Sequence, residues 1–192
     1  MKKGLLVILS GPSGVGKGTV RNQIMKEHRV DLVYSISMTT RSIRPKETDG
    51  VEYYFVSEEE FQRNIDNGNF LEYAEFVGHK YGTPKDKVEE LRNQGKNVLL
   101  EIEIKGATQV MEKVHDDRVI SFFLMPPTFG ALERRIRKRK SESEDIIQER
   151  LEKGQKEMTM TDNYDYIVKN DRVTRAAREI EDLIKLKLKG KI

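Results

Sequence analysis

Unbroken apolar runs alternate with amphipathic stretches along this chain, and the two patterns predict different elements. Leu5-Leu6-Val7-Ile8-Leu9 is continuous and bounded by glycines, as expected of a strand buried on both faces of a parallel sheet. Val98-Leu99-Leu100 ahead of Glu101 reads the same way, as does the run 119–124, which Pro126-Pro127 brings to a stop. Shorter strands are predicted at 32–37, 53–56, 71–77 and 166–168, with a polar, basic loop over 38–50. Helices are predicted near 19–27, 105–114, 129–138 and 144–158, and an amphipathic terminal helix at 174–187. Ser57 with Glu60 forms a capping box for a helix that ends near Asn67-Gly68. Thr83 is expected as a helix N-cap with Pro84 at the first helical position and Gly95 as the stop.

Strands alternating with helices imply an α/β fold around a central parallel sheet. The alternation fails over 34–83, where several short strands follow one another, so a small inserted subdomain is expected there. With 192 residues the chain fits one domain with small insertions. Its core is expected at about 1–33, 84–134 and 158–192, with the charged helical segment 135–157 set apart.

Composition narrows the chemistry. The chain has no cysteine, which excludes a disulfide framework, a thiolate metal site and a cysteine nucleophile. The first apolar run ends in a glycine loop instead of a small-residue cleavage site, and no apolar stretch approaches the roughly 20 residues of a membrane span. A cytoplasmic location with no membrane contact is therefore expected. The formal charge of +3 is too small to announce a nucleic-acid partner. Residues 134–140 are nonetheless basic at six of seven positions, and they lack the aromatic interleaving of a base-stacking surface.

Gly11-Pro12-Ser13-Gly14-Val15-Gly16-Lys17 fits G-x-x-x-x-G-K and lies directly between a predicted strand and a predicted helix. Glycines let successive backbone N–H groups face phosphate oxygens, the helix start adds positive potential, and lysine reaches the outer phosphates. The bland reading is a glycine-rich turn. Gly18 stands where a serine or threonine ordinarily offers a hydroxyl to magnesium, and Thr19 follows. The order Gly-Lys-Gly-Thr resembles adenylate kinases. Magnesium is thus expected on ATP oxygens and water, with Glu101 at the end of its strand acting indirectly.

The stretch Ser37-Met38-Thr39-Thr40-Arg41-Ser42-Ile43-Arg44-Pro45, with Gly50-Val51-Glu52-Tyr53-Tyr54-Phe55, Gly68-Asn69-Phe70-Leu71-Glu72-Tyr73-Ala74 and His79-Lys80-Tyr81-Gly82-Thr83-Pro84, resembles the guanylate kinase family over nearly the whole chain. The resemblance implies a P-loop three-layer fold with an inserted mixed β/α subdomain for the nucleoside monophosphate and a helical arginine lid. It implies an enzyme that transfers a phosphoryl group from ATP to GMP with Mg2+. By the same resemblance Ser37, Arg41, Arg44, Tyr53 and Tyr81 hold the acceptor phosphate, and Glu72, Thr83 and Glu103 face guanine. Arg135, Arg139 and Arg150 match lid positions over the transferring group, and Asn170 matches the segment beside the adenine of ATP.

The residue types suit those roles. Arginines fork onto a phosphate dianion, and a carboxylate accepts from guanine N–H groups while repelling the acceptor edge of adenine. Two positions depart from the family: Glu103 stands for aspartate, and Lys140 for the glycine after the second lid arginine. Two other readings stay open here: a binding module that keeps the fold without catalysis, and a nucleotide kinase with another acceptor. Retention of Lys17, Arg135, Arg139 and Arg150 weighs against the first. The oligomeric state is not legible.

Overall fold

The computed structural model describes residues 2–76, 78–138 and 143–192. In chain order the elements are β1 (Leu6–Ser10), α1 (Lys17–Glu27), β2 (Leu32–Tyr34), β3 (Met38–Thr39), β4 (Tyr54–Phe55), α2 (Glu58–Asp66), β5 (Phe70–Phe76) and β6 (His79–Pro84). They continue with α3 (Lys85–Asn93), β7 (Asn97–Glu101), α4 (Ile104–Lys113), β8 (Val119–Met125), α5 (Phe129–Arg137), α6 (Glu144–Glu157), β9 (Tyr166–Lys169) and α7 (Val173–Leu188).

Two sheets result. The first has the order β2-β7-β1-β8-β9 and is parallel throughout. The second, β4-β3-β6-β5, mixes a parallel β3–β4 pair with antiparallel neighbours and lies within 38–84. This is the α/β fold with an inserted mixed sheet.

β1 explains the layering. Its residues are fully buried, and alternation sends Leu5, Val7 and Leu9 to one face and Leu6 and Ile8 to the other. The first set packs with Val20 and Ile24 of α1 and with Ala176, Ala177, Ile180 and Ile184 of α7. The second packs with Val98 and Leu100 of β7, Val88 of α3 and Ala107 and Val110 of α4. A third, separate cluster of Leu132, Ile136, Ile147 and Leu151 holds α5 against α6. Helices thus cover both faces of the parallel sheet, as such sheets require.

Several expectations need correction. β2 ends at Tyr34, short of residue 37, and the predicted loop begins with β3. The segment 79–84 is a strand, although no alternation of apolar and polar residues announces it. Thr83 is not an N-cap: Pro84 takes that place with extended backbone, because the Thr83 hydroxyl is committed to Glu72 in the paired strand. The Ser57 cap forms as expected, its hydroxyl accepting from Glu60 N at 3.1 Å. Val77, at the end of the predicted strand 71–77, lies outside the described residues.

One buried charge ties the lower edge of the sheet together. Arg92 is wholly buried at the end of α3; Nε donates to Gly4 O at 3.1 Å, and Nη2 to Arg118 O at 3.1 Å and Asp116 Oδ1 at 2.9 Å. Burial alone would raise the Asp116 carboxyl, but hydrogen bonds and charge from Arg92 outweigh it and hold the group below its ordinary 3.8. A group lowered in this way contributes fully above its ordinary value and loses that contribution as pH falls through the folded one. Arg92→Met is expected to cost about 2–3 kcal/mol in urea unfolding at neutral pH, because it removes the charged partner of Asp116 and Glu89 and the side-chain donor to Gly4 O. The deficit against the unaltered chain should narrow as the pH falls below about 4.

Candidate active site

Parallel pairing in register sets Leu9 opposite Glu101, so β1 and β7 deliver their carboxyl ends to one place. From β1 the chain turns through Gly11, Pro12, Ser13, Gly14 and Val15 into α1, with Lys17, Gly18 and Thr19 in its first turn. Gly16 is the N-cap at φ 99°, in the left-handed region that side chains avoid. No side chain caps α1, which leaves its first backbone N–H groups to an incoming anion. Lys17 Nζ donates to Gly11 O at 2.8 Å and faces Glu103 Oε1 at 3.4 Å.

The α5–α6 segment and the end of β9 grip this loop. Arg135 donates to Val15 O at 2.8 Å and to Asn170 O at 2.7 Å. Asn170 is buried, and its Nδ2 donates to Val15 O at 2.9 Å, so the amide faces the loop backbone. Arg150 Nη2 donates to Ser13 Oγ at 3.1 Å, while Glu157 Oε2 accepts from Ser13 N at 3.1 Å. Arg139 lies outside the described residues, as does Lys140.

Beside the loop opens a cleft of about 380 Å³ whose lining includes Ser13, Lys17, Ser37, Tyr53, Glu72, Tyr81, Glu101 and Glu103. Eight of the expected residues therefore share one cavity. Tyr53 and Tyr81 meet edge to face, with ring centroids 5.8 Å apart. Arg41 and Arg44 are not among the residues that line this cleft. Arg41 is buried in a bidentate pair with Glu47 at 2.9 and 3.0 Å and lies 5.4 Å from the Tyr53 ring centroid. Arg44 is exposed; its backbone N donates to Glu47 Oε2 at 2.8 Å and its carbonyl accepts from Glu47 N at 3.0 Å. Hydrogen bonding from Arg41 draws the Glu47 carboxyl below its ordinary value, so the pair is ionic at neutral pH.

Glu72 is the buried acid of the cleft. It sits on β5 opposite Thr83 of β6, whose hydroxyl donates to Oε1 at 2.5 Å. The carboxyl also lies tightly against α4. A Cβ on Gly106 would come within 2.5 Å of Glu72 Oε2, so only glycine admits this approach. Burial raises the Glu72 carboxyl above its ordinary 4.5, against the opposing effects of the Thr83 hydrogen bond and the charge of Lys113. Tyr34, also on the lining, is pushed up to about 12, chiefly by burial and then by Glu101, and stays neutral.

Glu101 is less free than its position suggested, because Oε2 accepts from Arg21 Nε at 2.9 Å. Among the described residues no group of three or more His, Cys, Asp or Glu is placed to hold a metal ion. The donors present fit a cation that arrives already ligated by phosphate and water. Sequence reasoning missed Arg21, Glu47, Lys153 and Glu157. Arg21 alone carried a signal, since it lies four residues beyond Lys17 on the same helix face. Ser13 and Glu157 are 144 positions apart, and nothing local joins them.

Comparison with known proteins gives the family. The guanylate kinase family model matches residues 3–187. A guanylate kinase of Mesoplasma florum is 51% identical over 182 residues, covering 95% of this chain and 61% of that protein. One from Latilactobacillus sakei is 48% identical, covering 95% of this chain and 89% of the relative. The crystal structure of guanylate kinase from Anaplasma phagocytophilum superposes with a TM-score of 0.75 at 33% identity, covering 97% of this chain and 87% of that one. The chain spans about three fifths of the length of the first curated relatives it matches: 61%, 62% and 62%.

Replacing Thr83 by valine removes a hydroxyl donor to Glu72 while keeping the side-chain shape. The Glu72 carboxyl should then titrate at a higher pH than in the unaltered chain, as read by 13C NMR of the labelled carboxyl. An unmoved titration would mean that the hydroxyl does not stabilise the ionised form.

Proposed function

The chain belongs to the guanylate kinase family, and on that premise we propose that it transfers the terminal phosphoryl group of ATP to GMP, and to dGMP, giving ADP and GDP in the cytoplasm. The observation that carries the reading is the buried Glu72–Thr83 pair, set in the same cleft as Lys17 of the phosphate loop. A buried acid held ready beside a phosphate site suits one ligand above others, a purine nucleotide with N–H donors on its base edge.

ATP lies with its phosphates on the amides of residues 11–19, with Lys17 on the outer oxygens and Asn170 near the adenine segment. Magnesium comes as part of MgATP, where it neutralises phosphate oxygens; Glu101 meets its water shell. GMP enters the subdomain 34–83, its phosphate held by Ser37, Arg41, Arg44, Tyr53 and Tyr81 and its base by Glu72, Thr83 and Glu103. Arg41 exchanges Glu47 for phosphate, a swap of one bidentate acceptor for another. The segment 135–157 acts as a lid carrying Arg135, Arg139 and Arg150.

Phosphoryl transfer needs alignment and charge compensation more than covalent help, because its transition state spreads charge over the equatorial oxygens. The GMP phosphate has a second pKa of about 6, by analogy with phosphoserine, so its oxygen is already a nucleophile at neutral pH and no general base is required. Closing the cleft excludes water, which would otherwise take the phosphoryl group.

Glu72 must be ionised to accept from guanine, and its raised value moves that requirement up in pH. The KM for GMP is therefore expected to climb as the pH falls through the folded value, which lies above 4.5, while the KM for ATP stays level over the same steps. ADP release with MgATP should be fastest with GMP and dGMP among GMP, dGMP, AMP, CMP and UMP. Lys17→Met should abolish it, and Glu72→Gln should raise the KM for GMP about 10–100-fold, the worth of a charge-assisted hydrogen bond. A preference for AMP, or an unaltered GMP affinity in Glu72→Gln, would remove the assignment.

A further inference from the structure

The phosphate loop lacks a side chain at Gly18, and Glu101 and Arg21 border that side of it. A Cβ placed on Gly18 would lie 3.4 Å from Glu101 Oε1, 3.7 Å from Arg21 Nη2 and 3.8 Å from Glu101 Oε2. The carboxylate and its guanidinium therefore stand over the bare side of the loop residue. In the common form of this loop that residue carries a metal-directed hydroxyl.

Arg21 is fixed from two directions. Nε donates to Glu101 Oε2 at 2.9 Å, and the guanidinium carbon stacks 4.4 Å from the centroid of the Tyr34 ring. Both contacts come from the parallel sheet: Tyr34 ends β2, Glu101 ends β7, and the two strands are neighbours. The arginine arises one turn beyond Lys17 on α1, so phosphate lysine and carboxylate clamp share one helix face. All three of Arg21, Tyr34 and Glu101 line the cleft.

We infer that Arg21 is a positioning residue for the phosphate end of MgATP: it holds Glu101 over Gly18, where the carboxylate supplies the oxygen that the loop itself lacks. The inference rests on the proposed use of MgATP. Left without Arg21, Glu101 swings among rotamers at the strand end, and the ordered acceptor for the cation's water shell is lost. A lysine at 21 keeps the charge but not the planar fork that stacks on Tyr34 and bonds sideways through Nε.

Calorimetric titration of the unaltered chain, Arg21→Met and Arg21→Lys with ATP, once with excess Mg2+ and once in EDTA, separates this role from a structural one. Arg21→Met is expected to weaken MgATP binding about tenfold, as outer-shell partners of a metal do, with changes under about twofold for metal-free ATP and for GMP. Arg21→Lys should fall between. Equal losses with and without magnesium, or no loss in either variant, overturn the inference. Should Arg21→Met melt below the assay temperature, Arg21→Lys decides alone, and an unchanged magnesium dependence there is the overturning result. A chain that binds MgATP yet leaves GMP unphosphorylated defeats the proposed reaction and still allows the Arg21 comparison.

Discussion

Lateral pairing of β1 between β7 and β8, with both of its faces covered by helices, constrains everything else in the molecule. Because β1 is fully buried and its neighbours run parallel to it, the register is fixed, and the carboxyl ends of the strands must emerge together. The loop after β1 becomes the phosphate loop, Glu101 arrives from β7 directly beside it, and Asn170 arrives from β9 on the other flank. A slip of one residue in any pair would turn Leu9 or Glu101 to the wrong face, at once breaking the core and scattering the site.

Charge around the cleft is arranged in exchangeable pairs. Lys17 faces Glu103, Arg21 holds Glu101, and Arg41 is clasped by Glu47. Glu103 is half-exposed, so its pairing with Lys17 is worth little in stability. The better buried pairs hold their geometry more firmly. Arg41 is kept in one orientation by Glu47 and the aromatic rings of Tyr53 and Phe55, so its planar fork is ordered before any ligand arrives.

The α5–α6 segment touches the core at the loop after β1. Arg135, Arg150 and Glu157 all reach phosphate-loop atoms, while α5 and α6 pack chiefly on each other. The two helices have their own small apolar cluster and meet the loop both through these polar contacts and through Ile136 and Leu132, which pack against Gly14.

The sequence alone determined the parallel sheet, its flanking helices and the phosphate loop, because each is written in local periodicity: continuous apolar runs, helical spacing, and a glycine-rich turn between them. It also singled out Glu101, from its place at the end of a buried strand, and Glu72, Tyr53 and Tyr81, through a family resemblance carried by contiguous motifs. Only the tertiary structure decided which groups those residues answer. Thr83, an N-cap by local rule, gives its hydroxyl to a carboxylate on the neighbouring strand, and that bond outweighs the cap. Arg41 turns to Glu47, Glu101 to Arg21 and Glu157 to Ser13, pairings set by how sheet, insertion and lid stack in space. Hydrogen bonds and ion pairs act over a few ångströms whatever the distance along the chain, so periodicity fixes elements while their partners are settled only once those elements pack.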